Sequence, residues 1–464
     1  MKPVVVLVGR PNVGKSALFN ALTRSRQALV ADMPGLTRDR QYGDGRVGGR
    51  SYLVVDTGGL VDDADAMTTL IMAQTRVAMI EADVVIFVTD GRSGPMPLDF
   101  AIAHQLRSLN RPVVLAVNKT EGLDGDIAVA EFHALGMGAP MAVSATHQQG
   151  VEALMARSLA PFPREDEAVA AEGGIRIALA GRPNVGKSTL TNALLGEERV
   201  VVSDVPGTTR DSIHIPFERA GKSYVLIDTA GVRRRSHVAD PLERYSVAKT
   251  LQAIDEAHVV LLVLDAREEV SDQDVSLAGL ILHRGRAIVL VVNKWDGLES
   301  ARREWIKREL QRKLPFLSFA PPHFVSALTG AHIGPLFAAA DRAYQSGGRV
   351  LPTPKLNAIL KEAVAATPPP IVRGRRIKPK FVHQGGKHPP RVIVHGNLVS
   401  ETPEAWRRYL AQRIRERFHL EGTPVEVEFR EGENPFAQRT KPAPTARQEA
   451  KRRRQRRFLK NHFG

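Results

Sequence analysis

Gly9-Arg10-Pro11-Asn12-Val13-Gly14-Lys15-Ser16 recurs letter for letter, 172 positions on, as Gly181-Arg182-Pro183-Asn184-Val185-Gly186-Lys187-Ser188. Both copies fit the pattern G-x-x-x-x-G-K-[ST], and both follow a short apolar run, the strand–loop–helix context that a phosphate-binding loop requires. Glycines let the backbone wrap phosphates with its N–H groups; the lysine reaches the β- and γ-phosphates, and the hydroxyl binds Mg²⁺. Two identical copies predict two nucleotide sites in one chain.

The repeat extends beyond the loops. Asp32-x-Pro34-Gly35-x-Thr37-Arg38-Asp39 returns as Asp204-x-Pro206-Gly207-x-Thr209-Arg210-Asp211, and Asp56-Thr57-Gly58-Gly59 as Asp228-Thr229-Ala230-Gly231. Asn118-Lys119 pairs with Asn293-Lys294, and Ser144-Ala145 with Ser326-Ala327. The offset grows along the chain, as small insertions in connecting loops would produce.

Between these motifs lie nearly continuous apolar runs: Val4–Val8, Tyr52–Val55, Val84–Val88, Val113–Val117 and Met141–Val143, then Ile175–Ala180, Tyr224–Ile227, Val259–Leu264, Ala287–Val292 and His323–Val325. Val- and Ile-rich runs without alternation read as parallel strands covered on both faces. Each motif follows such a run, at the strand's carboxyl end, where ligands bind in open α/β sheets. The expected fold is α/β: two tandem, doubly wound phosphate-loop domains.

The base is read from Asn293-Lys294-Trp295-Asp296. A carboxylate there accepts from guanine N1–H and the 2-amino group, whereas adenine would leave it unpaired. The Ser326-Ala327 backbone is expected to donate to guanine O6. GTP and GDP are therefore the expected ligands. Ser16, Thr37 and Asp56 in the first copy, and Ser188, Thr209 and Asp228 in the second, are the expected Mg²⁺ set, with the threonines on loops that close around the γ-phosphate. Gly59 and Gly231 are expected to offer N–H groups to that phosphate, and its loss to release both loops. Lys15 and Lys187 complete the catalytic set with Asn12 and Asn184, which are candidates to coordinate a monovalent cation beside the β–γ bridge. After Asp-x-x-Gly stand Leu60 and Val232, neither able to orient the attacking water as a glutamine would. Two alternatives to a working GTPase stay open: a scaffold that turns over too slowly to matter, and an ATP-dependent enzyme, against which Asp296 argues.

Charge is unevenly placed. Residues 1–349 hold 40 Lys+Arg and 40 Asp+Glu, so the whole +15 arises in residues 350–464, with 25 cations and 10 anions. A neutral body with a cationic end predicts a polyanionic partner, nucleic acid first. Apolar residues make up 43%, enough for globular cores, and no run approaches a membrane span. With 0 cysteines, disulfides and thiolate metal sites are excluded, which fits a reducing cytoplasm.

The expected divisions are a first nucleotide domain over 1–162, an acidic linker over 163–174, a second nucleotide domain over 175–348, an α-β-β-α-β module over 349–435, and a basic disordered tail over 436–464. In the module, helices are expected from Thr353 to about Ala366 and from Thr402-Pro403 to about Phe418. Strands are expected at Lys378–Gln384, Arg391–His395 and Val425–Phe429. The tail carries Lys451-Arg452-Arg453-Arg454-Gln455-Arg456-Arg457.

This arrangement resembles the Der (EngA) family, bacterial GTPases of the Era/TrmE-like group with two tandem G domains and a C-terminal KH-like domain. The resemblance rests on both phosphate loops, on the doubled Pro-Gly-x-Thr-Arg-Asp, and on Asp228-Thr-Ala-Gly-Val-Arg-Arg-Arg followed by Glu243-Arg-Tyr-Ser-Val. It implies GTP hydrolysis in both domains, K⁺ stimulation through Asn12 and Asn184, a KH-like module, and a monomer. It also implies nucleotide-dependent association with the rRNA of the large ribosomal subunit during its assembly, away from membranes. Two departures stand out. The first guanine motif reads Asn118-Lys119-Thr120-Glu121, with one extra methylene, which predicts weaker or less selective guanine binding there. The module has no Gly-x-x-Gly; Gly385-Gly386 is a poor substitute for the loop that clamps nucleotides in KH domains. Arg233-Arg234-Arg235, beside the γ-phosphate motif, is expected to couple GTP to RNA or to the KH-like face.

Overall fold

The structure is a computed structural model, and it describes residues 2–23, 41–57, 81–109, 111–163, 174–196, 200–202, 213–228, 247–372 and 374–431. The linker expected at 163–174 and the basic tail therefore fall almost wholly outside the described residues. So do Thr37, Gly58, Gly59, Leu60, Thr209, Thr229, Ala230, Gly231, Val232 and Arg233–Arg235.

All ten apolar runs are strands. The first domain contains β1 (Val4–Val8), β2 (Gln41–Val47), β3 (Arg50–Asp56), β4 (Val84–Asp90), β5 (Val113–Asn118) and β6 (Met141–Ala142), in the order β2-β3-β1-β4-β5-β6. β1 pairs parallel with β3 on one side and β4 on the other, so the chain leaves its carboxyl end at the crevice where strand order reverses. Side chains of β1 alternate between two apolar layers. Val5 and Leu7 pack with Leu18, Phe19 and Leu22 on one face; Val4, Val6 and Val8 pack with Ile102 and Leu106 on the other. That double cover explains why the strand carries no polar alternation.

The second domain repeats the plan with β7 (Ile175–Ala180), β8 (Val200–Val202), β9 (Ile213–Arg219), β10 (Lys222–Asp228), β11 (Val259–Asp265), β12 (Ala287–Asn293) and β13 (Pro322–Phe324), ordered β13-β12-β11-β7-β10-β9-β8. Neither sheet is purely parallel, as the apolar runs had implied. β2 is antiparallel to β3, and β9 to both β10 and β8. Of these, β2 is an edge strand of polar residues and glycines, Gln-Tyr-Gly-Asp-Gly-Arg-Val, which β3 recruits as a hairpin, while β9 lies between β10 and the edge strand β8.

Where the two domains meet, Lys2 and Asp44 of the first join Asp255 and Arg284 of the second. Lys2 Nζ lies 3.1 Å from Asp44 and 3.0 Å from Asp255, and Arg284 lies 2.6 Å and 3.0 Å from the same carboxylates. Burial works against the charge on Lys2, yet the two carboxylates outweigh it and raise its pKa.

The C-terminal region has the α-β-β-α-β order expected. Helices Thr353–Ala366 and Glu404–Phe418 accompany a sheet of β16 (Lys378–Gly386), β17 (Arg391–Asn397) and β18 (Glu426–Glu431). A short hairpin of β14 (Ile371–Val372) and β15 (Arg375–Arg376) precedes it. The chain forms two compact units. Among the described residues, one comprises those up to 350 with 386–391 and 415–426; the other comprises those of 351–385, 392–414 and 427–431. Trp406 lies in the core of the second, 4% exposed, its indole donating to Thr367 O at 2.9 Å.

Candidate guanine-nucleotide sites

Each phosphate loop leaves its central strand through a glycine that nothing else can replace. A Cβ at Gly9 would lie 2.2 Å from Val88 O, and one at Gly181 would lie 2.4 Å from Val263 O. Gly14 and Gly186 have φ of +93° and +96°, and a Cβ at either would meet the side-chain amide of Asn118 or Asn293 at 2.4 Å. That close approach is a bond between motifs. Asn118 Nδ2 donates to Val13 O at 2.9 Å and Lys119 Nζ to Asn12 O at 2.7 Å. In the second site Asn293 donates to Val185 O at 2.9 Å and Lys294 to Asn184 O at 2.8 Å. The guanine motif thus holds the phosphate loop in shape, and Asn12, Asn184, Lys119 and Lys294 accept left-handed backbones with φ between 61° and 65° to do so.

Lys15 and Lys187 begin the helices after the loops. Lys15 Nζ donates to Gly9 O (2.8 Å) and Arg10 O (2.9 Å), and Lys187 Nζ to Gly181 O (2.8 Å) and Arg182 O (2.7 Å). Burial pushes both down to about 8, because little solvent is left to stabilise the ammonium. Ser16 Oγ donates to Asp56 Oδ2 at 2.8 Å. Two hard oxygen donors brought together at the phosphate loop fit Mg²⁺. Thr57, next along, is fully buried and bonds Leu7 O at 2.7 Å, which fixes the strand end that carries Asp56. Asp228 closes β10 at the corresponding place.

The base pockets are near copies. Asp296 accepts from Ser326 Oγ at 2.6 Å and pairs with Arg267 at 3.0 Å. Glu121, despite its longer side chain, takes the same partners, Ser144 Oγ at 2.8 Å and Arg92 at 2.9 Å. The serine hydrogen bond is the main reason both carboxyls titrate below their ordinary range. The amides of Ala145 and Ala327, expected to face guanine O6, donate to the Asn118 and Asn293 side chains at 3.0 Å and 2.9 Å. Trp295 packs on Phe324, centroids 4.2 Å apart, where the first site has Thr120 bonded to Val143 O at 2.9 Å.

Three pairs of residues escaped the sequence reading. Asp90 and Asp265 hold the guanine-motif lysines, at 2.7 Å from Lys119 and 2.5 Å from Lys294. Burial alone would raise Asp90; the hydrogen bonds from Lys119 and the Arg92 amide bring it below the ordinary carboxylate range. Arg92 and Arg267 steady the Glu121 and Asp296 carboxylates. Asp99 and Asp274 anchor the phosphate-loop arginines: Arg10 Nε lies 3.3 Å from Asp99, and Arg182 Nε 3.1 Å and 3.0 Å from the two oxygens of Asp274. Each pair recurs at an offset of 175, the same as Asn118 and Asn293, and that shared spacing was the available signal. Among the described residues no cluster of His, Asp and Glu suits any other metal.

Fold and pocket together define a protein with two guanine-nucleotide-binding, GTP-hydrolysing domains. A family model described as a 50S ribosome-binding GTPase matches residues 4–119 and 176–294, and one described as the C-terminal KH-domain-like region of EngA bacterial GTPases matches 351–430. The chain is 55% identical over 464 residues to the GTPase Der of Thioalkalivibrio sulfidiphilus, spanning 99% of this chain and 100% of that one. It is 53% identical to the GTPase Der of Nitrosospira multiformis (100% of each chain) and 50% identical to that of an Escherichia coli strain (97% and 98%). The chain belongs to the GTPase Der family.

Proposed function

We propose that this GTPase is a nucleotide-switched, monomeric cytoplasmic factor in biogenesis of the large ribosomal subunit, associating with rRNA according to the nucleotide held. The observation that carries the reading is the joining, in one chain, of two guanine sites to a KH-like module and tail that hold its entire net positive charge. Neutralising phosphates is what such an excess of Lys and Arg does. The 50S-binding description of the matching family model points the same way. No helix among the described residues is long and apolar enough to cross a membrane.

In hydrolysis, Gly9–Ser16 and Gly181–Ser188 wrap the phosphates, and Lys15 and Lys187 exchange loop carbonyls for phosphate oxygens. Ser16 with Asp56, and Ser188 with Asp228, would hold Mg²⁺, which when bound would supply positive charge against the phosphates. Thr37 and Thr209 join that set when GTP is bound, and Gly59 and Gly231 steady the γ-phosphate. Without a glutamine at Leu60 or Val232, Asn12 and Asn184 would hold K⁺, which would supply the missing positive charge; the Asn12 side chain is exposed among the described residues. Sedimentation with purified 50S and 30S subunits tests the reading. Binding to 50S that depends on a GTP analogue in K⁺ buffer is expected; equal binding with GDP, or none, refutes it.

A further inference from the structure

We propose that Phe381, His383 and His395, on the side of β16 and β17 away from Val382, bind single-stranded RNA by stacking unpaired bases. This deepens, and rests on, the RNA association argued above. Strand alternation sorts the side chains. Val382, Val392 and Val394 are buried on one side of the sheet; Phe381, His383 and His395 lie on the other, next to the buried Ile393. Their rings form one array. Phe381 and His383 lie 5.7 Å apart at 28°, His383 and His395 5.2 Å at 9°, and Phe381 and His395 6.3 Å at 35°. Phe381 is 44% exposed, and His383 Nδ1 is shielded from solvent with no hydrogen-bond partner among the described residues.

Charge chooses the occupant. Arg375 and Arg376, on the short strand just before β16, are exposed and in no ion pair with a described residue, whereas Lys378 and Lys380 alternate onto the side of Val382. Flat rings beside unpaired cations match bases beside phosphates. A duplex hides its base faces, so the strand must be single. Gly385-Gly386 end β16 itself, so the array replaces a Gly-x-x-Gly clamp rather than adding to one.

The test uses the full chain and a fluorescein-labelled oligouridylate of about 12 nucleotides, at about 0.3 M salt so that purely ionic contacts are suppressed. Phe381→Leu keeps an apolar side chain but removes the ring; affinity should fall about tenfold or more, and Phe381→Tyr should keep it. His383→Ala with His395→Ala should lose as much, without changing the salt slope. Arg375→Ala with Arg376→Ala should weaken binding and flatten that slope. In the unaltered chain, 4-thiouridine in the oligonucleotide should crosslink to the peptide holding Phe381 and His383. Crosslinks confined elsewhere, or Phe381→Leu within about twofold of the unaltered chain, overturn the proposal. So does unchanged RNA affinity with lost 50S binding, which would assign the face to a ribosomal protein. If the unaltered chain fails to bind 50S while ring-dependent oligonucleotide binding persists, the functional reading fails and this face stands.

Discussion

The two candidate guanine pockets differ by one methylene at the carboxylate expected to read the base, yet Glu121 and Asp296 are held by matching serine and arginine partners. A pocket is therefore more than its motif. The residues that position the carboxylate, Ser144 with Arg92 and Ser326 with Arg267, are duplicated as faithfully as the motif and absorb part of the change. The loop arginines differ more. Asp274 engages Arg182 through both oxygens and accepts from Ser271, whereas Asp99 Oδ1 has no partner among the described residues.

The comparison breaks most visibly at the lysines. Lys15→Ala and Lys187→Ala should each silence one pocket, weakening nucleotide binding there on the order of a hundredfold, about 3 kcal/mol, and leaving the other pocket intact. Isothermal titration of each variant reads this directly, and loss of both sites from one substitution would show that the pockets are not independent.

Next come the arginine anchors. Asp274→Asn should destabilise the chain by about 1–2 kcal/mol in urea unfolding, through loss of a buried two-oxygen pair. Asp99→Asn should cost less than about 0.5 kcal/mol at neutral pH or even stabilise, because burial raises the pKa of Asp99 and makes its charge unwelcome in the fold. The sign follows from linkage: with the folded pKa above the unfolded value, the native state binds more protons. The contribution of Asp99 to stability is then greatest at low pH and declines as pH rises through the carboxylate range. Asp99→Asn should remove that slope, and equal costs for the two substitutions would contradict the asymmetry.

The smallest effect concerns the methylene itself. Glu121→Asp should tighten GTP binding in the first pocket, and Asp296→Glu loosen it in the second, each by about 1 kcal/mol or less. Indifference to both swaps would mean that the serine and arginine absorb the change completely.

Much of this is legible in the sequence. Runs such as Val4–Val8 are buried on both faces, so only apolar β-branched residues suit them, and their composition gives them away. Strand β2 was not legible: with two glycines, an aspartate and an arginine it forms only because β3 offers it an edge. In the pockets, the residues expected to touch the ligand follow motifs fixed by phosphate and base chemistry. Asp90, Arg92 and Asp99 touch other residues instead, and any geometry that satisfies those partners would serve, so no ligand pattern marks them. Their equal spacing to Asp265, Arg267 and Asp274 marks them only as parts of a duplicated machine.

The central claim is a pair of guanine sites in one polypeptide, and counting nucleotides tests it most directly. Equilibrium titration of the full chain with a fluorescent GDP should saturate at two per chain and be reversed by GTP but not by ATP. Saturation at one, or equal displacement by ATP, would contradict it.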